Sequence, residues 1–126
     1  SGLQGMSGVG SDMRDIRAAI ADGNEDAKNA YDVLCYGIAK FVGGYVAAMN
    51  GVDEIVFTDG IDKNVGQLRK DVCSYFGYLG VEIDDKANDT FSEEIVISTP
   101  ASKVKVAVIP TNEELAICRD TVALVK

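Results

Sequence analysis

The apolar patterning predicts an α/β fold with some parallel strand pairing. Two observations carry this. Residues 52–58 and 104–109 have the apolar, β-branched make-up of strands, and each is followed by residues at helical spacing. That alternation suits parallel pairing, because a parallel pair needs a long crossover, usually a helix. The first strand also carries Ile55, Val56 and Phe57 in an unbroken run, which suits a strand covered on both faces. With 126 residues, 47% hydrophobic and 25% charged, the chain has globular composition and the length of a single domain, residues 1–126.

Residues 1–10 are glycine- and serine-rich and read as a flexible lead-in. Ser11 then reads as an N-cap, with Met13, Ile16, Ala19 and Ile20 at helical spacing until Asp22-Gly23 ends that helix. Asn24 caps the next helix, and Glu25 and Asp26 sit in its first turn, where the helix dipole favours negative charge. Its stripe is Ala27, Tyr31, Leu34, Ile38, Phe41, Val42, Tyr45 and Met49, so it runs about seven turns to the turn Asn50-Gly51. Gly37, Gly43 and Gly44 interrupt it and are expected to admit a close neighbour.

After the first strand and a loop, residues 64–79 form a helix with Val65, Leu68, Val72, Tyr75, Phe76 and Leu79 on one face and Gly80 just past its end. Residues 81–83 suit a short strand, and 84–92 a polar, mobile loop. Residues 95–98 and 104–109 read as strands around the turn Thr99-Pro100-Ala101-Ser102. Val104, Val106 and Val108 alternate with Lys105 and Ala107, predicting one face more buried than the other. Thr111 and Glu114 form a capping box for a last helix carrying Leu115, Cys118, Val122 and Val125. Tyr31, Phe41, Tyr45, Tyr75 and Phe76, at helical spacing, are expected in the core.

The charge balance of 12 basic and 20 acidic residues, net −8, argues against non-specific nucleic-acid binding, which needs a basic face. With no histidine, histidine general-base chemistry and His-ligated zinc are excluded within this chain. Cys35, Cys73 and Cys118 are odd in number, widely spaced and set among apolar residues. They read as small buried hydrophobes in a reducing cytoplasm rather than as disulfides or metal ligands. The longest stretch without charge or strong polarity, residues 41–49, is far short of a membrane span. No membrane association and no signal peptide are expected.

Two strand-to-helix loops could carry chemistry. One is Thr58-Asp59-Gly60-Ile61-Asp62-Lys63-Asn64 and the other Ile109-Pro110-Thr111-Asn112-Glu113-Glu114. If their strands run parallel, both open at the carboxyl edge, where α/β sheets bind ligands. The helix start behind the first offers free N–H groups and a positive dipole end for phosphate, and Lys63 a point charge. The second offers two carboxylates, hard ligands for Mg²⁺. A glycine after a strand and a glutamate pair at a helix start are also ordinary turn and capping chemistry. Asp12, Met13 and Arg14 have the same ambiguity, as a base contact or an exposed helix start.

Three ordered segments resemble the acetate kinase family. Ser7-Gly8-Val9-Gly10-Ser11-Asp12-Met13-Arg14-Asp15 is similar to its S-G-x-S-S-D-x-R-D stretch, Phe57-Thr58-Asp59-Gly60-Ile61-Asp62-Lys63-Asn64 to its F-T-[AG]-G-I-G-E-N loop, and Val108-Ile109-Pro110-Thr111-Asn112-Glu113-Glu114-Leu115 to its V-I-P-T-[ND]-E-E-L segment. The intervals fit, and the likeness covers essentially all of the chain. It implies the C-terminal portion of a ribonuclease-H-like (actin-like ATPase) domain, a mixed sheet with flanking helices, in the superfamily of sugar kinases, heat-shock chaperone ATPases and actin. It implies phosphoryl transfer between ATP and acetate, giving ADP and acetyl phosphate, with Mg²⁺ as cofactor, in a cytoplasmic homodimer. By the same resemblance Asp12, Met13 and Arg14 lie by the adenosine, Gly60, Ile61, Asp62, Lys63 and Asn64 contact ATP, and Glu113 helps hold magnesium.

The family's catalytic residues and acid pocket would precede Ser1, so no catalytic residue is assigned here and the isolated chain is expected to be inactive. Asp59 stands where the family has a small residue, Asp62 where it has a glycine and Lys63 where it has a glutamate. A carboxylate at Asp62 would repel phosphate. The alternatives are therefore a non-catalytic interaction module with a degenerate loop, or a kinase for propionate or butyrate. Three strands of the superfamily's five-stranded sheet would also precede Ser1, which predicts an unpaired sheet edge, exposed apolar helix faces and self-association.

Overall fold

The computed structural model describes residues 13–58, 65–89 and 94–109, and the backbone of 121–124. Its helices are α1 (Met13–Ala21), α2 (Glu25–Met49), α3 (Gly66–Cys73), which tightens into a 3-10 helix (Ser74–Leu79), and α4 (Asp85–Asn88). Its strands are β1 (Glu54–Phe57), β2 (Ile95–Val96), β3 (Lys105–Val108) and β4 (Thr121–Leu124).

The four strands form one mixed sheet in the order β2-β3-β1-β4. β1 runs parallel to both neighbours, and β2 pairs antiparallel with β3 around the hairpin turn, closed by the Ser102 amide donating to the Thr99 carbonyl at 3.0 Å. The α/β class and the parallel pairing are thus as the patterning predicts. Ile55, Val56 and Phe57 are all buried, so β1 is covered on both faces. The alternation expected in β3 is absent, because Ala107 is buried like Val106 and Val108, and only Lys105 reaches solvent. Both faces of this strand are covered too.

β4 corrects one expectation. Residues 121–124 are a strand, not the continuation of a helix through Val122. They pair with β1 and put it inside the sheet, Glu54 opposite Thr121 and Phe57 opposite Leu124. A central strand with a bare row of N–H and C=O groups is costly. Thr121 and Val122, β-branched, suit the pleat that satisfies it. Leu115 and Cys118 lie outside the described residues.

Three helices end alike. After α1, Asn24 N–H donates to Ala19 O and Gly23 N–H to Ile20 O. After α2, Gly51 donates to Val46 O and Asn50 to Ala47 O, and after the 3-10 helix, Val81 donates to Phe76 O and Gly80 to Gly77 O. Each is a Schellman closure around a left-handed residue, Gly23, Asn50 or Gly80. Asn24 then starts α2, its side chain accepting from the Ala27 amide at 3.0 Å.

α2 buries Ala27, Ala30, Tyr31, Cys35, Ala39, Val42 and Val46 against α1, α3 and the rest of the core, and meets β4. By length and composition this helix could also cross a membrane. Lys28, Asp32 and Lys40 are exposed along it. Phe41, expected inside, is 56% exposed and packs edge-on against Tyr45. It sits one position off the arc that Val42 and Val46 define. Tyr75 is exposed too, while Tyr31 and Phe76 are buried and Tyr45 half-buried. A Cβ added at Gly37, Gly43 or Gly44 would meet nothing within 4 Å among the described residues, so these glycines admit no close neighbour there.

The helix expected through Leu79 changes pitch at Ser74, and Phe76 leaves helical geometry altogether (φ −109, ψ 22) as it enters the core. Ile83 makes a single antiparallel bridge with Ser98 rather than a strand. The segment expected as a mobile loop contains α4, capped by the Asp84 carboxylate, which accepts from the Lys86 and Ala87 amides at 3.0 and 3.1 Å.

Candidate functional site

The two loops singled out by sequence leave from adjacent strand ends. Phe57 of β1 stands opposite Val108 of β3, and the next residue, Ile109, donates its amide to the Phe57 carbonyl at 2.9 Å. Thr58, the last described residue before the first loop, is buried. Gly60, Ile61, Asp62, Lys63, Asn64 and Glu113 themselves lie outside the described residues, as does Asp12. Of the residues proposed for adenosine, Met13 opens α1 with its side chain in the core, and Arg14 faces outward beside it.

At the far end of the first loop, Val65 precedes α3 and provides no side-chain cap. Three buried residues fix the first turn of α3. Asn88 of α4 donates through Nδ2 to the Gly66 carbonyl at 2.8 Å. Arg69 returns two bonds, Nε to Asn88 Oδ1 at 2.9 Å and a terminal nitrogen to the Asn88 carbonyl at 3.2 Å. Both side chains are 4% exposed. On the surface, Lys70 reaches Asp85 at 2.8 Å, a second and weaker link from α3 to α4.

Two further groups are shaped by burial. Desolvation pushes the Cys73 thiol up to about 12, and the nearby Arg69 charge opposes this only in part. Burial likewise raises Tyr31, helped by its hydrogen bond to Asp71. Cys35 and Cys73 are buried and outside any disulfide, as expected, and the raised Cys73 thiol is the opposite of a reactive one. Cys118 lies outside the described residues.

An open groove of about 520 Å³ runs between α1, α2 and α3, lined by Arg17, Ile20, Lys28, Tyr31, Asp71 and Tyr75 among others. Among the described residues, none from the three motifs lines it. Among the described residues no cluster of three or more His, Cys, Asp or Glu side chains could hold a metal.

Sequence reasoning passed over Arg69 and Asn88. Arg69 did carry a signal, since it lies four residues after Val65 and three before Val72, inside the buried arc of α3. A cation there must find polar partners. Asn88 sat in a polar run and gave none.

Residues 1–119 match the model of the acetokinase family. The acetate kinase of Agathobacter rectalis is 57% identical over 126 residues, covering 99% of this chain and 32% of that protein. That of Lachnoclostridium phytofermentans is 55% identical over 125 residues, again 99% and 32%. Among solved structures, the acetate kinase of Porphyromonas gingivalis superposes with a TM-score of 0.77 at 46% identity, over 87% of this chain and 28% of that one. A propionate kinase from Francisella tularensis does so at 0.72 and 35% identity, over 87% and 28%. The fold is therefore part of that of the acetate and propionate kinases. The chain spans about a third of the length of the curated relatives it matches.

Proposed function

This chain belongs to the acetokinase family, and we propose that residues 1–126 are the C-terminal nucleotide-binding portion of a phosphotransferase that moves a phosphoryl group between ATP and acetate. The observation that supports this best is the in-register, parallel pairing of β1 and β3, which starts both motif loops side by side at one sheet edge. In this reading the backbone of residues 60–64 and the first turn of α3 bind phosphate, and Asp12, Met13 and Arg14 hold the adenosine. Glu113 contributes one hard carboxylate to magnesium. Mg²⁺ suits this donor set, since it keeps several waters and leans on phosphate oxygens rather than on a cage of side chains.

Bound Mg-ATP would supply the phosphoryl group and the counter-charge, and alignment and electrostatics are most of what such a transfer needs. Lys63 would offset the negative charge of Asp62 beside the phosphates. The acid pocket and catalytic groups belong to other parts of the protein, so these residues alone are inactive. The same reading makes the parent protein a homodimer in a reducing cytoplasm. The exposed Val33, Tyr36 and Phe41 on α2 and the buried Cys35 and Cys73, which form no disulfide, support it.

Calorimetric titration with Mg-ADP tests the proposal. Saturable binding, weakened by Arg14→Ala or Gly60→Val, is expected. No binding at millimolar nucleotide would favour a non-catalytic module, the reading that Asp62 and Lys63 suggest. Acetyl phosphate formation by these residues alone would contradict the assignment of catalysis elsewhere.

A further inference from the structure

We propose that the open groove between α1, α2 and α3 binds a small molecule with a flat apolar body and one carboxylate. None of its described lining residues belongs to the three motifs, and the proposal does not rest on the nucleotide reading above. At about 520 Å³ the groove has the size of an ordinary ligand site, roughly 300–1,000 Å³. Its rings are set before any ligand arrives. Tyr31 is buried, and its hydroxyl, held protonated by burial, is tied to Asp71 across the seam between α2 and α3. Tyr75 is 45% exposed and rests edge-on against Tyr36, with ring centroids 6.2 Å apart. Ile20 of α1 adds an aliphatic surface. Two restrained rings and a branched aliphatic chain favour a flat apolar body, which gains ring contact at little cost in side-chain entropy.

The polar groups select the head of the ligand. Lys28 is matched on its own helix by Asp32, 2.8 Å away. Each carboxylate oxygen of Asp71 already accepts a hydrogen bond, one from Tyr31 and the other from Gln67. The Ser74 hydroxyl is turned to the Asp71 main-chain carbonyl at 2.6 Å. Arg17 of α1, the other cation on the groove, is half-buried and has no hydrogen-bond or ion-pair partner among the described residues. Its guanidinium is a planar fork of donors that takes both oxygens of a carboxylate at once. Partial burial beside aromatic rings makes that pairing stronger than it would be in open water. A cationic ligand has no such opening, since both carboxylates of the groove are already engaged. The same two carboxylates would repel a second negative charge, so the ligand carries one.

The test titrates the full chain with two probes of one shape, phenylpropanoate and phenylpropanol, followed by calorimetry and by the NMR signal of the Ile20 methyl group. The acid is expected to bind saturably and about tenfold more tightly than the alcohol, as one charge-assisted forked bond would give. Arg17→Gln is expected to erase that preference and leave the affinity for the alcohol within about twofold of the parent. Tyr75→Ala, at an exposed ring, is expected to weaken both probes about fivefold. Neither side chain is part of the buried core, so both variants are expected to melt close to the parent. Saturating Mg-ADP is expected to leave the affinity for the acid unchanged. Equal affinity for acid and alcohol, an acid preference that survives in Arg17→Gln, or an Ile20 signal that does not move overturns the inference. Competition between Mg-ADP and the acid would assign the groove to the nucleotide and overturn it as well.

Discussion

The hydroxyl of Tyr31 on α2 donates to one carboxylate oxygen of Asp71 on α3, while Gln67 donates to the other at 2.8 Å. Tyr31 is 8% exposed, so this is a charge-assisted bond in a half-dry seam between two helices. Tyr31→Phe keeps the ring and removes the bond, and Asp71 retains Gln67. A loss of about 1–2 kcal/mol is expected, read as a lower urea midpoint with an unchanged slope. A midpoint equal to the parent's would mean that the seam is held by packing alone.

Gly80 closes the 3-10 helix at φ 82, and a Cβ there would fall 2.7 Å from Cδ and 2.9 Å from Cβ of Lys103. Lys103 has little room to yield, because its amide donates to the Gly80 carbonyl at 2.9 Å. Gly80→Ala therefore meets both a left-handed backbone and a close contact. It is expected to cost about 1–3 kcal/mol, seen as a lowered thermal midpoint. An unaltered midpoint would refute the geometry of this turn.

The raised thiol of Cys73 makes stability fall in alkali. The folded chain holds this proton more tightly than the unfolded one, whose ordinary value is 9.0 against about 12 when folded. The stabilisation is complete below about pH 9 and is lost as pH rises from there toward 12. Tyr31, raised by burial, acts in the same direction. Each such group can contribute a slope of at most about 1.4 kcal/mol per pH unit. Denaturant midpoints at neutral and alkaline pH should diverge, and Cys73→Ala, though less stable at neutrality, should show the shallower alkaline slope. Parallel slopes would show that the buried thiol is not the source.

The sequence revealed the elements that local chemistry dictates. Asn24 and Asn50 mark the two ends of α2, Gly80 ends the 3-10 helix, and the run Ile55–Phe57 lies in the covered central strand because each obeys a short-range rule. What it concealed depends on distant partners. Val122 reads as one turn of a helix until an open edge of β1 offers it a ladder. Phe41 falls outside the core because the rotation of α2 is set by what packs on Cys35 and Ala39, not by its own hydropathy. The paired strand ends at Phe57 and Val108 followed from the strand–helix alternation. The buried Asn88–Arg69 pairing did not, since Asn88 becomes structural only through residues 19 and 22 positions away.

The middle position of β1 has a consequence for how the chain matures. During synthesis this strand emerges before either of its flanking partners, residues 105–108 and 121–124. α1 and α2, whose mutual contacts are close in sequence, can pair at once, but β1 must wait with both ladders exposed. The nascent protein thus passes through a stage in which its most apolar strand is sticky on two sides. Holding the ribosome short of residue 105 would prolong that stage and make the intermediate a target for chaperones.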